Sequence, residues 1–271
     1  MVQANAESNL IGADMPRFCV PACIAFCTAA LALILAMTLC LPSCAYAEED
    51  SGSEYVSGAD FTSKISYIDQ NSVLPSGCEI VSLTSILNAM GSSLDAKTIY
   101  DGGYVTGDGS NDMVNSYAGD AYSSGAGMPP IIVEAGNKAL ADSGISNWGF
   151  SDATGSSIDD LLAYTSRGLP VLVWTTMGMD QPIYTGEMAG NYPWYSNEHC
   201  VVLYGSEGDS LLVMDPLEGL VERNKADFEQ IYNACGNMAA VLESSGYESD
   251  EEDNAVGRLK TDEETEGASE D

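Results

Sequence analysis

Cys78 stands in Pro75-Ser76-Gly77-Cys78-Glu79, directly ahead of a run whose apolar positions Ile80, Leu83, Leu87 and Met90 keep helical spacing. Ser76 and Glu79 fit the S-x-x-E capping box, which puts Cys78 in the first helical turn. Unpaired backbone N–H groups and the positive end of the helix dipole favour a thiolate there, lowering a cysteine pKa from about 8.5 towards roughly 3.5 to 7.5. A thiolate is a nucleophile. The other reading of the same segment is a buried or disulfide-bonded cysteine.

Any mechanism that needs an imidazole must use His199, the one histidine of the chain. It lies in Glu198-His199-Cys200-Val201-Val202-Leu203-Tyr204-Gly205, followed by Leu211 to Asp215 and Pro216. A three-residue hairpin loop at Ser206-Glu207-Gly208 would pair Gly205 with Asp209 and set His199 opposite Asp215. The carboxylate could then hold the imidazole tautomer, the orienting task of a triad's third member. A one-residue slip would match Cys200 with Asp215 instead. Cysteine first, with histidine and aspartate far downstream, is also the chain order of papain-like sites. Cys200 should face away from His199 and pack inward.

These residues need elements to carry them. Beyond the helix after Cys78, a second helix is expected from Pro129-Pro130 through Val133, Lys138 and Leu140, since proline suits a first turn. A third opens near Ser157, carries Ile158, Leu161 and Leu162, and stops at Gly168. Leu169–Thr175, Cys200–Tyr204 and Leu211–Met214 read as short strands. Asn224 caps a helix through Phe228, Ile231 and Tyr232, and Met238–Leu242 is a final strand. A helix first and an antiparallel sheet later make an α+β domain. Tyr184 to Trp194 is a polar-aromatic segment ahead of His199 that either lines a cleft or covers the core.

The set of local patterns resembles stand-alone bacterial domains related to the double-glycine bacteriocin-leader peptidases, cysteine peptidase family thirty-nine. The matching segments include Tyr67-Ile68-Asp69-Gln70, Leu74 to Glu79, Leu87 to Gly91, Gly168 to Trp174, Glu198-His199 and Asp215 to Gly219. The resemblance implies a papain-like fold in which the N-terminal helix carries the nucleophile against an antiparallel sheet. It implies Cys78 as nucleophile, His199 as general base and then acid, Asp215 as orienter, and Gln70 as an oxyanion-hole donor beside the Cys78 N–H. Peptide or other amide bonds are the implied substrates, with no cofactor. A thioester passed to an amine rather than water would make a transpeptidase or acyltransferase, and a retained fold without turnover a cell-surface binding module.

Against 9 Lys and Arg stand 41 Asp and Glu, a formal net charge of −32, which repels phosphate backbones and excludes nucleic acid as a partner. Five of the eight cysteines fall before residue 45, so the rest of the chain is no disulfide scaffold. Asp108 to Asp112 misses the EF-hand positions and reads as a solvated loop, and one histidine with three later cysteines supplies a zinc site poorly.

The expected organisation is a leader over residues 1–47, a Gly/Ser-rich linker over 48–60, a monomeric peptidase-like domain over 61–243 and an acidic tail over 244–271. The leader has no charge from Phe18 to Leu41 and ends in Ala45-Tyr46-Ala47, a cleavage triplet. A lipobox at Leu41 to Cys44 and a retained anchor are the other readings, and all three export the domain, leaving the membrane in contact with the N-terminal segment alone. The tail has 11 acids against Arg258 and Lys260 and too few apolar residues to build a core.

Overall fold

A computed structural model of the chain describes residues 59–107 and 112–244. The leader, residues 48–58 of the linker, positions 108–111 of the acidic loop and residues 245–271 of the tail lie outside the described residues. The helices are α1 (Gln70–Val73), α2 (Cys78–Ala89), α3 (Ala96–Asp101), α4 (Pro129–Asp142), α5 (Ile158–Thr165) and α6 (Lys225–Ala234). The strands are β1 (Ala118–Asp120), β2 (Ser124–Ala126), β3 (Trp148–Asp152), β4 (Val171–Thr176), β5 (Tyr184–Ala189), β6 (Tyr192–Tyr195), β7 (Glu198–Glu207), β8 (Ser210–Asp215), β9 (Gly219–Asn224) and β10 (Ala239–Ser244).

Six strands form one antiparallel sheet in the order β3-β10-β4-β7-β8-β9, and β1-β2 and β5-β6 are separate hairpins. Side chains alternate across a strand, so β4 and β7 each feed two cores. Leu172, Trp174, Cys200 and Val202 pack on one face with Ile80, Leu83 and Leu87 of α2 and Ile131, Ala135 and Ala139 of α4. Val171, Val173, Val201 and Leu203 pack on the other with Ile158 and Leu161 of α5 and Phe228 and Tyr232 of α6. A fully buried side chain of this size contributes roughly 1.5–3 kcal/mol, so both faces are firmly covered. Burial of β4 on both sides matches its unbroken apolar run.

The caps expected at Ser157 and Asn224 form. Ser157 makes a complete capping box with Asp160, and the Asn224 side chain accepts from the N–H groups of Ala226 and Asp227. At α2 the expected box is absent: the N-cap is Gly77, without a side-chain bond, and Ser76 Oγ donates to the Ser123 carbonyl instead. On α4, Gly136 is dictated by close approach, since a Cβ there would lie 2.6 Å from Phe150 Cδ2.

Candidate active site

One end of the sheet gathers the start of β7 and the ends of β4 and β8. There His199 Nε2 and Asp215 Oδ1 are hydrogen bonded at 2.8 Å, both side chains buried. The register that achieves this differs from the expected one. The β7-β8 turn has two residues, with Glu207 opposite Ser210 and Gly208 at a φ of +58°. That offset alone would turn Asp215 to the face opposite His199. A bulge between Leu203 and Gly205 adds one residue to β7 and restores the parity, so that Val202 faces Met214. His199 and Asp215 therefore meet along a diagonal of one face rather than directly across.

Asp215 is well supplied with partners. Its Oδ1 also accepts the Leu217 N–H at 2.9 Å, and Oδ2 lies 3.4 Å from Arg223, which in turn pairs with Glu218 at 2.7 Å. Burial pushes the carboxyl up, but the His199 bond and charge, the Leu217 N–H and Arg223 outweigh it and hold Asp215 below the usual carboxylate value. With Nε2 committed to Asp215, Nδ1 of the ring makes no hydrogen bond among the described residues.

Cys78 is the first residue of α2, so its N–H has no intrahelical acceptor. The helix packs on the face of β7 that carries Cys200, and Ser82 Oγ donates to the Cys200 carbonyl at 2.9 Å. Cys78, Cys200 and Cys235 are all free thiols. The Cys78 thiol does not hydrogen-bond His199; it donates to Glu79 Oε2 at 3.3 Å. Burial first, and then the negative charges of Glu79 and Glu198, push the Cys78 thiol well above its ordinary value.

Gln70 opens α1 and is buried. Its backbone N–H donates to the Pro216 carbonyl at 3.0 Å, in the turn after Asp215, and its Nε2 donates to the Pro75 carbonyl at 2.9 Å. The side chain thus ties the loop before Cys78 to the turn after Asp215. Its Oε1 is buried without a hydrogen-bond partner. The segment from Tyr184 to Trp194 forms the β5-β6 hairpin, joined to the end of α6 by Tyr184 Oη donating to the Ala234 carbonyl at 2.6 Å.

Sequence reasoning overlooked two carboxyls beside the thiol. Glu79 Oε1 accepts the Gly127 N–H at 2.7 Å, and Oε2 accepts the Tyr117 hydroxyl at 3.3 Å. Glu198 is buried and its Oε1 has no hydrogen-bond partner. Cys78 Sγ and one oxygen from each carboxyl lie within 4.8 Å of one another, the one such cluster among the described residues that could hold a metal ion. Strand alternation from Cys200 would have placed Glu198 on the helix side, but nothing local signals that Glu79 turns inward.

A family model described as Peptidase C39 like family matches residues 62–240. The chain belongs to this family. The family places the chain among the cysteine peptidases, and the mixed helical and antiparallel architecture is the papain-like one. Among solved structures, the chain is similar to a protein from Bacillus anthracis described as a C39-like peptidase, at 26% identity and a TM-score of 0.55. That match covers 67% of this chain and 95% of the other. The peptidase domain of Streptococcus ComA, a bifunctional ABC transporter of a quorum-sensing pathway, matches at 15% identity and a TM-score of 0.40, covering 66% of this chain and 97% of that one. No curated protein matches.

Proposed function

We propose that this C39-like peptidase cleaves peptide bonds through Cys78, His199 and Asp215, by way of a thioester on Cys78. The single observation that carries the assignment is the 2.8 Å bond from His199 Nε2 to Asp215, which fixes the ring and leaves Nδ1 as the nitrogen able to take a proton.

In the resting arrangement the thiol is neutral and turned to Glu79. Attack requires Sγ to turn to His199, whose Nδ1 accepts the thiol proton as sulfur bonds to the scissile carbonyl carbon. The oxyanion that develops needs fixed donors. The Cys78 backbone N–H is one, and the second N–H of the Gln70 amide, beyond the one given to Pro75, is the other. Collapse expels the amine, which leaves with the proton held by His199. Water then attacks the thioester, giving its proton to His199, and the acid product departs as the thiol is restored. Asp215 steadies the imidazolium in both halves without itself being protonated.

We further propose that the domain is exported as a monomer by its N-terminal segment and cleaved after Ala47, and sequencing the mature N terminus tests this. Cleavage profiling on a diverse peptide library tests the activity. Wild-type protein is expected to yield a defined set of products that Cys78→Ala does not, with the fold of the variant checked by circular dichroism. Equal cleavage by the two proteins contradicts the assignment.

A further inference from the structure

Glu79 and Glu198 take no part in the mechanism, yet they stand beside the sulfur that does the chemistry. Glu79 follows Cys78 on α2, and Glu198 opens β7 on the face that Cys200 turns towards α2. Both are buried, and none of the ion pairs among the described residues reaches either. Buried charges in proteins are paired or coordinate a metal. Glu198 is only 8% exposed, and its Oε1 is buried with no hydrogen-bond partner. A carboxyl so placed has an open ligand position, and one oxygen of Glu198 lies within 4.8 Å of both Cys78 Sγ and an oxygen of Glu79.

The spacing suits one small cation. Zinc binds thiolate sulfur at about 2.3 Å and carboxylate oxygen at about 2.0–2.2 Å, so ligand atoms on one tetrahedral zinc lie about 3.3–3.7 Å apart. Cys78 Sγ is already 3.3 Å from Glu79 Oε2. The widest separation, bounded at 4.8 Å, closes with a shift of about 1 Å at most. Glu79 is held from behind, since its Oε1 accepts the Gly127 N–H at 2.7 Å, the outer support that orients a ligating carboxylate. The Tyr117 hydroxyl gives its shorter bond, 2.7 Å, to the Ser76 carbonyl, so Oε2 keeps a lone pair for a cation once the thiol proton leaves. One thiolate with two carboxylates is a mixed sulfur and oxygen set, which suits zinc rather than calcium or magnesium, whose ligands are oxygens. Counting cysteine and histidine alone understates such a set, because carboxylates supply two of its three ligands.

We propose that Cys78, Glu79 and Glu198 form a zinc site that masks the nucleophile. On binding, the Cys78 S–H bond breaks, its proton passes to solvent and the sulfur electron pair binds the cation; nothing is oxidised or reduced. The fourth position is left to water. A sulfur held this way neither turns to His199 nor attacks a carbonyl, so the enzyme is silent while zinc is bound and active once it is withdrawn. This effect on activity rests on the reading of Cys78 as nucleophile; the metal site itself does not.

Labelling of Cys78 by iodoacetamide in the full chain, followed by peptide mapping, tests the site without turnover. Free zinc is fixed by a chelator buffer, so the other cysteines do not deplete it, and each thiol is read on its own peptide. At saturating zinc, Cys78 labelling is expected to slow by about tenfold or more, since the reagent needs the free sulfur pair, and excess EDTA should restore it. The zinc concentration giving half protection should rise by about 10- to 100-fold or more in Glu198→Gln and stay where it is in His199→Ala. No protection in wild type overturns the proposal, as does a midpoint unmoved in Glu198→Gln. Protection lost in His199→Ala overturns it too, placing the metal between sulfur and imidazole. If Glu198→Gln fails to fold, the cobalt(II)–thiolate charge-transfer absorption decides: it should weaken in Cys78→Ala and persist in His199→Ala, and any other pattern overturns the site. Zinc protection in a protein that cleaves no peptide after EDTA treatment would sink the peptidase mechanism and leave the zinc site standing.

Discussion

Buried carboxyls lie on each face of the sheet at the start of β7, and the two faces treat them differently. On the α5-α6 side, Asp215 is buried and ionised because His199, the Leu217 N–H and Arg223 surround it with donors. On the α2 side, Glu79 and Glu198 are equally buried but have only a backbone N–H, a tyrosine hydroxyl and a thiol to turn to. Burial is common to both, so partners decide whether a carboxyl stays charged. One face holds a carboxylate bonded to His199; the other holds the Cys78 thiol against Glu79.

The sharpest test of that contrast is Asp215→Asn, which keeps the shape but removes the charge and offers the ring the wrong tautomer. Cleavage rate is expected to fall by about 10²- to 10⁴-fold with the fold retained, as read by kcat on a library-derived peptide. Tyr117→Phe strikes the other face. It takes the 2.7 Å donor from the Ser76 carbonyl and removes the hydroxyl that lies 3.3 Å from Glu79 Oε2, and should cost about 1–3 kcal/mol in urea unfolding, with a much smaller change in kcat.

The two faces should also respond to pH with opposite sign. Asp215 has a lowered folded-state pKa, so its stability is present above the unfolded carboxyl value and lost as pH falls through the folded one. Glu198 has a raised one, so its contribution is complete at low pH and lost as pH rises through the folded value. Asp215→Asn should therefore flatten the acid limb of the Tm profile, and Glu198→Gln the alkaline limb, the latter gaining about 2–4 °C at pH 9 if 1 kcal/mol is recovered. Arg223→Gln is the smallest perturbation. Arg223 is partly exposed and 3.4 Å from Asp215, so at most about 1 kcal/mol of stability should be lost.

Two similar sequence patterns show what could be read in advance. Ser157 and Asp160 form a capping box, a purely local device, and the helix they open was legible, as were the helices begun by Pro129 and Asn224. Ser76 and Glu79 have the same spacing but form none, because Gly127 and Tyr117, about 40 to 50 residues away in sequence, draw the Glu79 carboxylate inward. The residue types at Cys78, His199 and Asp215 stood out because a lone histidine limits the options. The pairing of His199 with Asp215 was read through a three-residue turn, whereas the structure reaches it by a two-residue turn and one extra residue at the β7 bulge, which no local pattern announces. The edge strands β3 and β9 were missed because each is half exposed and bordered by ordinary loop residues. The hydrogen bond from the thiol to Glu79 was not legible, since the helix start can be read in sequence while two buried carboxyls brought beside it by folding cannot.

The central claim is a covalent bond at one sulfur. Acid-quenched reaction of the wild-type protein with a peptide it cleaves, followed by intact-mass and peptide mapping, addresses it directly. The account predicts an adduct on the peptide containing Cys78, equal in mass to the N-terminal product less one water and absent in Cys78→Ala. An adduct on Cys200 or Cys235, or cleavage undiminished in Cys78→Ala, would contradict it.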